Sequence, residues 1–186
     1  MGITHAFISA KSDGSDPTEV QPSHWNADHV VDIEGAWTSE IVKPSDETVA
    51  TSTVNITDAH LQLPVTADSI WRIELELLYS GTSGTGDFKF VLNVSSGLMF
   101  GVYRYMGSEN STDGVAVVTG TRMAGTTVTG SLIFGTDASS TIRMVFLETM
   151  VRFNSAATFR IQWSQNSASG STTVKAGSVL RGRRII

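Results

Sequence analysis

The side chains in this 186-residue chain best suited to acid–base or metal chemistry are its four histidines, His5, His24, His29 and His60, and all fall within the first sixty residues. His24, Asp28 and His29 offer imidazole and carboxylate donors of the kind zinc accepts, but their spacing, in a turn-rich segment just after Pro22, matches no zinc motif. A nucleophilic triad needs a histidine held by a rigid scaffold, and these lie in or just after the most irregular part of the chain. Gly81, Gly84 and Gly86 form a glycine-rich run that lacks both the trailing Lys-Ser/Thr and the following helix of a phosphate-binding loop, so a hairpin loop is expected there. Asp13 and Asp16 lack the further ligands of a calcium loop. Glu74 and Glu76 share one face of a strand, whereas glycosidase carboxylates must face each other across a cleft. With no cysteine there is neither a disulfide nor a thiolate site. The residues therefore predict no catalytic group, no metal and no cofactor, and a protein that is not an enzyme; a hydrolase or depolymerase domain is the least supported reading.

Along the chain the dominant period of apolar residues is two. Trp71, Ile73, Leu75, Leu77 and Tyr79 alternate with Arg72, Glu74 and Glu76, which marks a strand over 69–79 with one buried face. Phe88, Phe90, Leu92 and Val94 form the inward stripe of a strand over 87–94, read as the partner of the first. Phe159, Ile161 and Trp163 do the same over 158–163; after the polar loop 164–171 a strand returns, completing a terminal hairpin. Further strands are expected over 37–42, 48–56, 60–63, 99–105, 115–121, 126–134, 141–148 and 178–185, with turn residues between them. No segment carries a helical stripe over ten positions. Some ten short strands predict an all-β fold, an antiparallel jelly-roll β-sandwich.

Charged residues make up only 17 % of the chain, which suits a β protein that hides surface in an assembly. The net charge of −5 is unevenly spread: residues 1–60 hold ten acids and two lysines, and residues 61–186 hold eight acids and eleven basic side chains. Residues 1–36 hold isolated apolar groups, Phe7, Ile8, Trp25, Val30 and Val31 among them, and two prolines. That predicts an extended N-terminal arm over 1–36 and a sandwich domain over 37–186. An acidic arm is repelled by phosphate, and Arg181, Arg183 and Arg184 lack aromatic interleaving, so no nucleic acid is expected as partner. Arg181 and Arg183, sharing one face of a final strand with Val179 and Ile185, are expected to pair with acids of the arm, such as Asp28, Asp32 and Glu34, or with a neighbour's carboxylates. No apolar run approaches the ~20 residues of a membrane helix, the start of the sequence lacks the layout of a secretory signal, and no membrane role is expected.

Three stretches carry a resemblance. One is Phe159 to Asn166 with its Gln162-Trp163-Ser164-Gln165-Asn166 core, followed by a Ser/Gly/Thr run and Thr173 to Leu180. The second is Trp71 to Gly81 with Gly86 to Phe90. The third is Thr4 to Gly14 with Trp25-Asn26-Ala27-Asp28-His29. Together they resemble the virion structural proteins of tailed bacteriophages. The resemblance implies a particle component with a C-terminal trimeric jelly-roll domain like those of tumour necrosis factor and C1q.

The expected function is that of a capsid decoration or cement protein, binding the outer capsid as a homotrimer through the major capsid protein and located on the virion exterior. A tail or head fibre that binds a host glycan is the alternative. Such a fibre would call for a shaft repeat, which is absent from the sequence, and for aromatic loop platforms, for which Tyr103 and Tyr105 are the candidates. Phe7, Ile8, Trp25, Val30 and Val31 are the expected capsid anchors. Leu78, Val91, Val145 and Leu147, read as lying opposite the core stripe, are the expected trimer interface, because strands apolar on both faces are buried on both faces.

Overall fold

A computed structural model describes residues 37–97, 99–108, 115–125 and 131–186, together with 2–3, 14–15 and 29–30. Among these there are strands and no helix. The chain divides into two units, 1–36 and 37–186. In the first, β1 (Gly2–Ile3) pairs antiparallel with β2 (His29–Val30). Phe7, Ile8, Trp25 and Val31 lie outside the described residues, and Val30 is placed only as backbone opposite Gly2.

The second unit holds β3 (Ser39–Val42), β4 (Glu47–Ala50), β5 (Ile56–Val65), β6 (Ser69–Gly81), β7 (Phe88–Val94), β8 (Met99–Ser108) and β9 (Val115–Gly125). It continues with β10 (Leu132–Phe134), β11 (Arg143–Phe153), β12 (Ala157–Gln165), β13 (Ser171–Val174) and β14 (Val179–Arg184). They make two antiparallel sheets. The larger runs β3-β14-β6-β11-β8-β9, with β13 joining β4 to the end of β6; the smaller runs β10-β7-β12-β5.

With β4, β13 and the β8–β9 pair set aside, eight strands remain, in chain order β3, β5, β6, β7, β10, β11, β12 and β14. The first pairs with the eighth, the second with the seventh, the third with the sixth and the fourth with the fifth. That nesting is an antiparallel ribbon rolled on itself, the jelly-roll wrap. The β8–β9 pair is inserted between the fourth and fifth strands and extends the larger sheet beyond β11.

The wrap corrects two sequence expectations. β6 and β7 are not partners, since they lie in opposite sheets and the 82–87 loop crosses between them. The terminal strands are likewise no hairpin, for β12 belongs to the smaller sheet and β13 and β14 to the larger. The expected strand over 48–56 is also two elements. It breaks at Thr51, whose φ of 46° leaves the extended region, and β5 then runs on through the segment predicted over 60–63.

Inward stripes from both sheets meet in one core. Ile73, Leu75, Leu77 and Tyr79 of β6 and Phe88, Phe90 and Leu92 of β7 are all essentially inaccessible, as their alternation predicts. Tyr79 stacks on Phe88 with ring centroids 4.7 Å apart, Phe90 on Phe134 at 5.7 Å, and Trp163 tilts against Phe88 at 6.1 Å. The Tyr79 hydroxyl donates to the Gly135 carbonyl at 2.9 Å, which satisfies its polar end. Gly182 of β14 faces this core where a β-carbon would come within 2.4 Å of the buried Leu63 side chain, so any other residue there would have to displace it.

Carboxylates lock the connections. Asp137 accepts from Ser139 Oγ at 2.7 Å, from the amides of Ser139 and Thr141, and from Arg143 at 3.1 Å; these bonds, led by that of Ser139 Oγ, hold its pKa well below the usual range. Asp46 accepts from the Ala176 amide at 2.8 Å and from Lys175 at 2.9 Å, which lowers its pKa too. Asp87 is shifted the other way, upward by burial, against the pull of the Thr136 amide.

Two outcomes are expected. Trp163 is fully buried, yet its indole N–H has no partner among the described residues. Trp163→Ala should therefore cost about 3–5 kcal/mol in urea unfolding, while Trp163→Phe, which removes the orphaned donor and keeps a ring, should cost much less. Asp46 and Asp137 have folded pKa values below their unfolded ones. Their stabilisation is present above the unfolded value of about 4 and is lost as pH falls through the folded values. Thermal melts taken from pH 7 to pH 2 should fall most steeply below about pH 4, and Asp137→Asn should flatten that fall.

Candidate interaction face

Because the inward side chains of the larger sheet are consumed by the core, its outward side chains are the ones free to meet another molecule. Register places them in rows. One row joins Arg181 of β14 to Glu40 of β3 on one side and Glu74 of β6 on the other, and continues through Glu148 of β11 to Arg104 of β8. The next row joins Val42, Val179, Glu76, Phe146 and Met106. Beyond it Leu78 lies opposite Met144, and on the other side of the charged row Arg72 lies opposite both Met150 and Arg183.

The charged row is internally paired. Arg181 Nε donates to Glu40 and a terminal nitrogen to Glu76, each at 2.6 Å, and these two hydrogen bonds raise the guanidinium pKa above its ordinary value. Arg72 reaches Glu148 at 2.6 Å and Glu74 at 3.3 Å, and Arg104 pairs with the second oxygen of Glu148. Glu74 and Glu76, which share one strand face as their spacing predicts, are thus anchors of a ladder. Arg181, expected to reach acids of the arm or of a neighbour, is held by its own domain. Each such exposed pair contributes at most about 1 kcal/mol, but together they order the strand surface.

Around the ladder lie large apolar side chains that the domain does not cover. Met150 is 54 % exposed, Val42 52 %, Met144 48 % and Met106 43 %, with Phe146 and Leu78 half-buried among them. Exposed apolar side chains grouped on one sheet face make it a candidate interaction surface, and methionine in particular adapts to a partner's shape.

The expected interface residues fare differently. Leu78 lies on this face. Val145 and Leu147 do not: both are fully buried in the core, opposite Leu77 and Leu75, because β11 points Val145, Leu147, Val151 and Phe153 inward and Met144, Phe146 and Met150 outward. Val91 sits on the outer side of the smaller sheet, opposite Gln162, and at 5 % exposure is already covered within the single chain. Neither position nor exposure leaves these three free for a partner. The signal for the outward-facing set was present in β11, where Met144, Phe146 and Met150 lie between the core positions. Tyr105, a candidate glycan platform, packs edge-on against Phe134 at 5.4 Å and burial raises its pKa, so it belongs to the core side; the side chain of Tyr103 lies outside the described residues.

No family model matches the chain, and no curated protein does. Among solved structures it is similar to chains in "Structure of infectious bursal disease virus Gx strain", at 12% identity and TM-score 0.20, and "Crystal structure of infectious bursal disease virus VP2 subviral particle", at 12% identity and TM-score 0.23. Both alignments cover 94% of this chain, which spans 43% and 45% of the respective matched chains.

Proposed function

We propose that this protein is a structural component of a phage particle, a capsid decoration protein that self-associates as a trimer through the outer face of its larger sheet. The observation that carries the reading is that face: Leu78, Met106, Met144, Phe146 and Met150 crowd round a self-paired ladder on a domain whose core is already closed without them. The jelly-roll wrap and the resemblance of the Gln162 to Asn166 and Trp25 to His29 stretches to tailed-phage virion proteins support the particle assignment.

The role is mechanical. A shell under internal pressure fails where capsomers part, and a trimer seated across a junction adds contact area that must be lost first; stable interfaces bury on the order of 1,600 Å² in total. Three N-terminal segments acting together multiply weak contacts through effective concentration. The partner is the major capsid protein and the location the capsid exterior, with Phe7, Ile8, Trp25, Val30 and Val31 as the anchors.

Two measurements test this. Sedimentation of the purified full chain should give a trimer at micromolar concentration, and Phe146→Arg together with Met144→Arg should give a folded monomer; a wild-type monomer sinks the trimer. Deletion of residues 1–36 should leave a folded trimer that no longer pellets with undecorated capsids, and Trp25→Ala should weaken pelleting in the same direction, since one buried indole often dominates such a contact. Undiminished pelleting of the deleted trimer would move attachment to the sandwich itself.

A further inference from the structure

Lys43 is an unusual residue to find inside a sandwich. It is 1 % exposed, placed just after β3, and its backbone is clamped at both ends: its N–H donates to the Ser178 carbonyl at 2.8 Å and its carbonyl accepts from Gly177 at 2.9 Å. Its ammonium donates to Asp58 Oδ2 at 2.8 Å and to Glu47 Oε2 at 2.8 Å. Asp58 is completely buried on β5, in the opposite sheet, and its other oxygen, Oδ1, accepts from the backbone amides of His60 and Leu61, each at 2.9 Å. Glu47, at the start of β4, keeps a side-chain exposure of 24%. Burial raises the Asp58 pKa, but the bonds from Lys43, Leu61 and His60 outweigh it and the net direction is downward.

We propose that Lys43 and Asp58 condense into an intramolecular amide, an isopeptide bond that staples the two sheets together, with Glu47 as the proton carrier. Four features supply the chemistry. The nucleophile and the carboxyl group are held in contact by rigid strands, which replaces an encounter by a fixed approach. The site is dry, so two charges there carry a desolvation cost that a neutral amide removes. The two amides on Oδ1 are placed to stabilise the negative charge that develops on that oxygen when the carbonyl carbon is attacked. Glu47 touches the nitrogen that must lose protons and opens toward solvent.

The step balances without any oxidant or co-reactant. One proton passes from the Lys43 ammonium to Asp58 Oδ2, giving an amine and a carboxylic acid. The nitrogen lone pair then attacks Asp58 Cγ and the C–N bond forms, with charge collecting on Oδ1. A second proton moves from nitrogen to Glu47 and from Glu47 to Oδ2, the C–Oδ2 bond breaks, and water leaves. The third proton stays as the amide N–H, and Glu47 ends as it began.

The same cluster does not make a metal site by preference. Glu47, Asp58 and His60 bring donor atoms within 4.8 Å of one another, but the Lys43 ammonium already lies on both carboxylates and repels a second cation. The bond would join residues 15 apart in sequence and tie the end of β3 to β5 in the opposite sheet. The inference stands whether or not the protein belongs to a particle.

Intact mass of the denatured full-length protein is the test. The wild type is expected to be lighter than its sequence by one water, and proteolysis is expected to yield one branched peptide joining Lys43 to Asp58. Lys43→Ala and Asp58→Ala should show the full sequence mass, and Glu47→Gln should fold and remain at full mass or lose water far more slowly. Asp58→Asn keeps the shape of the side chain and should lose ammonia in place of water, at the same linkage. A wild type at full mass after prolonged incubation overturns the proposal, and so does a lost water that maps anywhere but Lys43 and Asp58.

Discussion

Tyr79 and Phe88 stand on either side of the crossing from the larger sheet to the smaller, and their 4.7 Å stacking fixes which strands can face which. Once these rings meet, Phe90, Phe134 and Trp163 have one place to go, and the inward stripes of β6, β7, β10 and β12 are committed to a common core. The crossing loop has to be short and tightly bonded to allow the stack. Gly86 approaches the Ser169 carbonyl so closely that a β-carbon would sit 2.6 Å from it, and Ser83 bonds Ser169 across to the loop before β13 at 2.8 Å. The small polar residues of both loops are thus what lets the aromatic column close at its end.

This explains which parts of the fold were legible in the sequence. Period-two alternation states which side chains share a face, and for β6, β7 and β12 it named the buried residues correctly. It says nothing about which sheet a strand joins. Sequential strands are neighbours often enough that β6–β7 and β12–β14 read as hairpins, whereas the jelly-roll wrap sends each across the core. Alternation also fails where both faces are apolar. In β11 the sequence Met144, Val145, Phe146, Leu147 offers two equally greasy phases, and only the continuation through Thr149, Val151 and Phe153 against β6 decides between them. The candidate face was therefore found by type and missed by phase.

The Lys43 cluster was illegible for a different reason. Beside Pro44, Ser45 and Asp46, a lysine reads as the solvated start of a turn, and Asp58 reads as a polar break between strands. Their meeting is a tertiary event that depends on β3 and β5 lying in opposite sheets at the same level. A lysine and an aspartate enclosed together lose their hydration, and such a pair is ordinarily worth less than two apolar residues of the same volume. Its occurrence at a seam between sheets, with each Asp58 oxygen already bonded, needs a reason other than packing.

On the outer face of the larger sheet, exposed apolar side chains alternate with matched charges. Leu78, Met144, Phe146 and Met106 form one patch and Met150 another, and the charged ladder through Arg181, Glu76, Arg72, Glu148 and Arg104 runs between them. Because its arginines and glutamates are already matched, a partner that covers the ladder desolvates pairs and not isolated ions, which costs far less than burying an unmatched charge. A partner that lies slightly out of register instead sets like charges opposite each other or leaves one uncovered. In the proposed trimer the methionines would supply adaptable contact and the ladder the penalty for misalignment, so affinity and register would come from different residues on the same four strands.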